Sequence, residues 1–580
     1  MLRRVWEQVA ADAAAVGAMA AALAVPPVIA RLLWQRGFSD VDAARRFLAP
    51  DLGQLHDPFL LAGMREAVDR VLAGIARRER IAIHGDYDVD GVTATVLLRR
   101  AIELLGGDVH HFVPDRFTDG YGLQPATIER LQAEGAGLII SVDCGIRATA
   151  AAIRARELGV DLIITDHHEP DGTGTLPPAL AVINPKRADC SYPDKMLAGA
   201  GVALKVVQGL LAGSGRGSAE LPAFVKIAAI GTLADVVPLV GENRIIAHCG
   251  LQALSSGRHA AGLEALLTES GLLGRPLDAF HVGFVLAPRL NAAGRMSSPD
   301  LALDLLLMRG KDETVRASAR DLARRLSEEN TRRQEREAAV LAEARHVIDG
   351  DPQIGAQNLL IVAGQDWHRG VVGIVASKLV ELYHRPALVL SLENGIAQGS
   401  ARSIPGFDLL AALEECADVF LRFGGHRLAA GVTLEAGRVD ELRRRLTACA
   451  NEKLGPDDLV PRLRIDAPLG LSEISGDVVR ALGRLGPFGA ANPKPVFRAA
   501  PVDLVTPPRT LKDRHLSLLF RQNGRSFRAI AWRATDRLEY LTSNRMGLEL
   551  AYSLDESEFR GEKVTELTVA DVRLPVETPA

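Results

Sequence analysis

Aromatic side chains are scarce, at 4% of 580 residues. Ala, Arg, Leu and Gly are used heavily in their place, the pattern of a GC-rich coding bias rather than of a function. Cysteine is also rare. Cys144, Cys190, Cys249, Cys416 and Cys449 are odd in number and none are paired at C-x-x-C spacing. That excludes a disulfide framework and a zinc knuckle, and points to a reducing, cytoplasmic setting. There is no excess of positive charge: 68 Lys and Arg face 72 Asp and Glu, a net charge of -4. A nucleic-acid partner therefore cannot be argued from overall charge and needs a local basic surface. No apolar run is clean enough to span a membrane. Ala13 to Ala30 follows Glu7 and Asp12 and is interrupted by Pro26-Pro27, so it reads as a packed helix rather than a signal peptide. Lys205, Lys226 and Asp235 break the later apolar stretches. No internal repeat or low-complexity segment is found.

What remains is ordinary soluble-protein composition, 47% hydrophobic and 24% charged, on a chain long enough for roughly three to five domains. Residues 1–75 read as a helical segment. From 76 to 310, strands Ile81–Ile83, Val109–Val113, Leu138–Val142, Leu162–Thr165 and Ala181–Ile183 alternate with amphipathic helices. This predicts an α/β domain with a mostly parallel sheet covered on both faces. Residues 311–350 form one long charged helix with no Gly or Pro before Gly350, of the kind that joins two domains. A smaller α/β block spans 351–455. Short strands from 456 to 580 predict a β-barrel of the oligonucleotide-binding (OB) type.

The most informative stretch is Ile81 to Gly91. A buried strand ends in His84, and Asp86, Asp88 and Asp90 follow within six residues. Carboxylates so close repel unless cations neutralise them. Hard oxygen ligands and an imidazole at one strand end suit a metal site; the bland alternative is a solvated acidic turn. Three further apolar segments end the same way, in Asp143, in Asp166-His167-His168 and in Asp235. A lone Asp at such a place is often only a helix cap. Four together, on one edge of a parallel sheet, predict that His84, Asp88, Asp90, Asp143, His167 and Asp235 converge on two divalent ions. Asp86, Asp166 and His168 are then left for supporting contacts or substrate.

Phosphate grips are sought outside that cluster. Arg289, Asn291 and Arg295 lie within seven residues, with Gly294 allowing close backbone approach. The loop Gln398 to Ser403 offers Ser400, Arg402 and the backbone N–H groups of small residues. Between Phe497 and Arg533, eight Lys and Arg face two Asp, with Phe520, Phe527 and Trp532 among them. A basic barrel with aromatics fits single-strand binding by charge and stacking, although Phe520 and Trp532 fit a core equally well.

The strings His84-Gly-Asp-Tyr-Asp-Val-Asp-Gly91, Val142-Asp143, Asp166-His167-His168 and Ala234-Asp235 resemble the four motifs of the DHH phosphoesterase superfamily. Gln365 to Gly370 and Phe423 to His426 resemble its associated C-terminal domain. The form of the first motif resembles the branch of single-strand-specific 5′→3′ exonucleases. The resemblance implies one Mn²⁺ or Mg²⁺ held by His84, Asp88 and Asp143, and a second held by Asp90, Asp143, His167 and Asp235. Two ions of such sites lie about 3.5–4 Å apart and clamp the attacking and leaving oxygens. It implies that His168 touches the scissile phosphate, with Asp86 and Asp143 also catalytic. It further implies that Arg116, Ser400 and Arg402 hold the 5′-terminal phosphate, with Gly424, Gly425 and His426 as a further cradle. Ala401 stands where relatives often have Gly.

The implied function is metal-dependent hydrolysis of single-stranded DNA to 5′-mononucleotides, in DNA repair and recombination. The implied setting is a monomer with no membrane, supplied by a single-strand-binding protein and a helicase. Two rival readings stay open at this point: a phosphodiesterase for short oligonucleotides or cyclic dinucleotides, and a DNA-binding scaffold that does not cut.

Overall fold

The computed structural model describes residues 4–114, 122–172, 174–559 and 562–575. The chain forms two compact units. One comprises Ala49–Arg333 with Gly486–Pro493; the other comprises Met1–Leu48, Gln334–Leu485 and Lys494–Ala580.

In the first unit, β1 (Arg80–His84), β2 (Asp108–Phe112), β3 (Leu138–Val142), β4 (Asp161–Thr165) and β5 (Ala181–Ile183) form a parallel sheet in the order β2-β1-β3-β4-β5. Their side chains alternate between two cores. Ile81, Ile83, Leu138, Ile140 and Ile163 pack under the helices α1 (Val89–Leu104), α2 (Gly199–Gly213) and α3 (Pro222–Ala234). Ala82, Ile139, Leu162 and Ile164 pack against Ile128, Leu131, Ala151 and Ala155 on the opposite face. Burial on both faces is why the strands read as unbroken apolar runs. Each fully buried Ile or Leu contributes roughly 1.5–3 kcal/mol. After β2 the chain returns across β1 to β3, so the order reverses there. Beyond the carboxyl ends of β1 and β3 lies the crevice where such sheets bind ligands.

The predicted long helix runs Glu313–Gly350. Its Ala319, Ala323 and Leu326 belong to the core of the first unit, and its Val340, Ala344 and Ile348 to a core of the second. The spacings of three and four residues keep each set on one face.

The second unit carries β6 (Leu360–Gln365), β7 (Ala387–Glu393), β8 (Ile396–Arg402), β9 (Arg422–His426) and β10 (Ala429–Glu435), ordered β9-β10-β8-β7-β6. Only β6 and β7 are parallel. Residues 398–402, expected as a loop, are a central strand. Asn394 and Gly395 both have positive φ, 52° and 78°, and close a two-residue hairpin between β7 and β8. Asn-Gly is the sequence signal for that turn. The backbone N–H groups of β8 are therefore engaged in the sheet rather than offered to a ligand.

The last strands, Phe497–Leu504, His515–Gln522, Arg525–Ala531, Leu548–Phe559 and Glu562–Arg573, close into a five-stranded barrel because the first pairs with both the second and the fourth. Some of the cations counted there are committed within the unit: Arg498 pairs with Glu549, and Arg525 donates to the Ile474 carbonyl. Phe520 is buried and Trp532 exposed.

The N-terminus departs from the all-helical expectation. Val5–Gln8 is a strand paired in parallel with Arg462–Ile465. The apolar run after it is not one helix but two, Ala13–Leu23 and Pro27–Gln35, bent by 115° at the proline pair. Among the described residues no single helix is long and apolar enough to cross a membrane.

Candidate metal centre

The site grows from the end of β1. His84 is the last residue of that strand, and Asp88 caps α1, accepting from the N–H groups of Asp90 and Gly91 at 2.9 and 3.1 Å. The cap fixes the turn so that Asp86, Asp88 and Asp90 all lie at the strand–helix junction. A Cβ on Gly91 would stand 2.5 Å from the Asp86 carbonyl oxygen, so only glycine permits this turn. Asp143 follows β3 with a φ of 60°, and Asp166 and His167 follow β4. Asp235 ends α3.

Three overlapping groups of ligand atoms result, the atoms of each within 4.8 Å of one another: Asp86, Asp88 and Asp143; Asp90, His167 and Asp235; Asp143, His167 and His168. Nε2 of His167 lies 3.1 Å from Asp143 Oδ1, 3.7 Å from Asp235 Oδ2 and 3.9 Å from Asp90 Oδ2. Five of the six predicted ligands are thus brought together. Asp86, expected as a supporting acid, sits within the first group. His84 falls in none of the three, because it ends the strand while the acids belong to the turn beyond it. Its Nδ1 is 3.5 Å from Cys144 Sγ.

The donor set fits cations. His84 Nε2, Asp86 Oδ1 and Asp143 Oδ1 are buried without a hydrogen-bond partner. Leaving such atoms unsatisfied is costly, and a bound cation would satisfy them. Burial, then Asp88, pushes Asp86 up to about 8, and the same two causes push Asp235 up to about 7. Burial and neighbouring carboxylates also hold Asp90 and Asp143 well above the usual range. Burial lowers His84 and His167 to about 4, which keeps both imidazoles in the neutral form that ligation requires.

His168 is different. Burial lowers its pKa, but the 2.8 Å contact from Nδ1 to Asp166 and the surrounding carboxylates outweigh that and raise it. Asp166 is itself held below the usual range. Burial opposes this, yet His168 and the N–H groups of Ile146 and His168 prevail. Asp166 thus orients the His168 imidazole, which holds its proton more tightly than an ordinary histidine.

Several participants were not foreseen. Gly199 and Ala200, at the start of α2, donate their N–H groups to Asp90 at 2.6 and 2.8 Å. The positive helix end partly offsets that acid's charge. A Cβ on Gly199 would lie 2.5 Å from Asp143 Oδ1. The small-residue run Ala198 to Gly201 is the only trace of this in the sequence. Asn184 holds the His168 carbonyl at 2.9 Å.

The expected phosphate grips have partners within the fold. Arg289, Asn291 and Arg295 lie on the helix α4 (Ala287–Met296). The Arg289 guanidinium donates to the Val285 carbonyl and to Ser327. Asn291 Oδ1 accepts from the Val89 N–H at 3.1 Å, and Gly294 packs against the Tyr87 carbonyl. This helix therefore braces the acidic turn. In the second unit, register places Arg402, Ala429 and His426 in one row across the sheet and Ser400, Gly431 and Gly424 in another. The Arg402 guanidinium donates to Ser400 Oγ at 2.8 Å. At Gly425, φ 153°, a Cβ would meet the Ala429 carbonyl at 2.3 Å. One at Gly373, in the helix Arg369–Tyr383, would lie 3.2 Å from Ser400 Oγ and 3.3 Å from Arg402. Arg116 lies outside the described residues.

Comparison with known proteins accords with this geometry. Residues 80–232 match the DHH family, N-terminal domain; 356–452 match the DHHA1 domain; and 465–571 match the RecJ OB domain. The chain is similar to the single-stranded-DNA-specific exonuclease RecJ of Bacillus subtilis, 42% identical over 84% of the chain and 61% of that protein. It is similar to the RecJ of Dickeya dadantii, 37% identical over 94% of the chain and 96% of that protein. It is similar in structure to the RecJ of Thermus thermophilus in complex with Mn²⁺, with a TM-score of 0.83 and 32% identity over 99% of this chain and 80% of that one.

Proposed function

The chain belongs to the RecJ family of single-stranded-DNA-specific exonucleases, and from that premise we propose that it degrades single-stranded DNA from the 5′ end to 5′-mononucleotides. The observation that carries the reading is the linking of three ligand groups through Asp143 and His167, with unpartnered buried donors beside them.

Asp86, Asp88 and Asp143, with His84 at the strand end, would hold one divalent cation. Asp90, His167 and Asp235 would hold a second, and Asp143 would be shared. The oxygen-rich set with few imidazoles suits Mn²⁺ or Mg²⁺. Bound there, the pair supplies charge neutralisation at the scissile phosphate and a water nucleophile at neutral pH.

The chain's own residues do the rest. His168, oriented by Asp166, holds a proton toward the phosphate and stabilises charge that develops on its oxygens. Arg295 at the end of α4 assists in gripping the strand. Ser400, Arg402 and the first turn of the helix Arg369–Tyr383 suit a terminal phosphate, since helix N-termini favour anions. Gly424, Gly425 and His426 lie on the same sheet. The barrel, with Trp532 exposed, suits a stacking contact with a single strand.

We place this activity in DNA repair and recombination, in a cytoplasmic monomer fed by a helicase and a single-strand-binding protein. A long 5′-phosphorylated single strand with Mn²⁺ is the decisive substrate, assayed beside a blunt duplex and a dinucleotide. Release of mononucleotides from the 5′ end, with the duplex spared, is expected. Equal rates on duplex and single strand, or activity on the dinucleotide alone, would overturn the reading.

A further inference from the structure

The segment between α3 and α4 carries a feature that the metal centre does not use. His281–Leu286 is a π-helical turn leading directly into α4, a geometry that is rare and concentrated at functional sites. Phe280 and Phe284 stand on it with ring centroids 5.0 Å apart and planes 23° from parallel. They are 60% and 71% exposed. Among the described residues, only Phe280, Phe284 and Trp532 are exposed aromatic side chains, in a chain poor in aromatics. Burying a phenylalanine contributes roughly 1.5–3 kcal/mol, so two stacked rings left in water do nothing for the fold.

Their position is fixed by elements that carry the metal ligands. Gly283 lies between them in sequence, and a Cβ there would stand 3.8 Å from the Leu233 carbonyl oxygen. Leu233 is two residues before Asp235. In the other direction the turn continues into α4, whose Asn291 holds Val89 between Asp88 and Asp90. The pair is thus anchored to both halves of the acidic cluster and faces water.

We infer that Phe280 and Phe284 form a base-stacking platform for the single strand beside the metal centre. The inference rests on the proposed action on single-stranded DNA and names a contact for it. Every base has a π-face, so a pair of open rings takes a strand without regard to sequence. A protein partner is the competing occupant. Continuity with the elements that hold the reacting centre favours nucleic acid.

The test uses the full chain and the double variant F280A/F284A. On a long 5′-phosphorylated single strand, KM should rise about tenfold or more, since loss of stacking costs 1–3 kcal/mol per base. kcat should stay within about twofold of wild type. On the same strand carrying a run of abasic residues, the KM of wild type and variant should coincide. F280W/F284W should restore KM, and the strand should quench its fluorescence beyond the quenching seen in wild type, whose Trp532 is also exposed. An unchanged KM on normal DNA, an equal difference on abasic DNA, or no quenching of the tryptophan variant beyond that of wild type each overturns the platform. Failure of the wild-type chain to digest any single strand would instead overturn the proposed function, and the quenching measurement would still decide the platform.

Discussion

His167 Nε2 and Asp143 Oδ1 lie 3.1 Å apart, and each residue belongs to two of the three ligand groups. One comes from the end of β4 and the other from the end of β3. The two adjacent parallel strands, paired Val142 to Thr165, set the spacing between their ends. The pair is therefore the link through which the acidic turn after β1 and the acid after α3 become one site.

Asp143→Asn tests that link. The substitution keeps the size of the side chain and removes its charge. Turnover on single-stranded DNA should fall by more than about 10³-fold, as when one member of a catalytic group that acts as a unit is lost. The metal-free protein should melt at a higher temperature than wild type, because a buried, mutually repelling carboxylate is gone. Turnover within about tenfold of wild type would remove Asp143 from the centre.

The raised carboxylates make stability depend on pH and on metal together. Asp235 and Asp86 titrate at about 7 and about 8 in the fold, against 3.8 as the ordinary value. The folded state thus binds their protons more tightly than the unfolded state. The stabilisation is complete below about pH 4 and is lost as pH rises through about 7 and 8. The melting temperature in EDTA should accordingly fall between pH 6 and 9. With Mn²⁺ present, the cations replace the protons, and the fall should shrink or reverse. Calorimetry should show protons released on metal uptake, more at pH 6 than at pH 9. A melting temperature flat with pH in EDTA would contradict the assignment.

Most of this centre was legible before any coordinates, and the reason is local. Period-two burial on both faces makes apolar runs, and each run ended in an acid or an imidazole at a strand end. The parts that were not legible depend on distant backbone. Gly199 and Ala200 reach Asp90 across more than a hundred residues, with no side-chain chemistry to mark them. The bracing role of Asn291 is likewise invisible, because its partner is the N–H of Val89. Gly, Ser and Ala in residues 398–402 suggest a loop, whereas the Asn394-Gly395 turn and the alternation of Ala397, Gly399 and Ala401 with polar residues favour the strand that forms. Val5–Gln8 could not be foreseen as a strand, since its pairing partner begins at Arg462.

Asn291→Ala removes the acceptor that holds Val89. The loss of one hydrogen bond should destabilise the protein by about 1 kcal/mol. The larger effect should be on metal. Val89 lies between two ligands, and disturbing a residue that orients ligands costs about 10–100-fold in metal affinity or activity. Titrating the exonuclease with Mn²⁺ should show a half-saturating concentration shifted upward by that order, with activity largely recovered at saturation. An unshifted titration would assign Asn291 to the substrate rather than to the turn.

A buried ion pair in the first unit gives a prediction about the scaffold alone. Lys205 and Glu242 are 0% and 1% exposed, with Nζ and Oε1 3.0 Å apart. The network is complete: Lys205 also donates to the His56 carbonyl, and Glu242 accepts from the His56 N–H and the Tyr192 hydroxyl. Lys205→Met leaves the Glu242 carboxylate buried with its cation gone. That should cost about 3–5 kcal/mol, the penalty of an uncompensated buried charge. In Lys205→Met/Glu242→Gln no charge remains, while an amide oxygen can still accept from His56 or Tyr192. The double variant should therefore be more stable than Lys205→Met alone, although it carries one more substitution. Urea unfolding of wild type, both single variants and the double variant measures the coupling directly. Simple addition of the two single losses would show that the pair does not act as a unit.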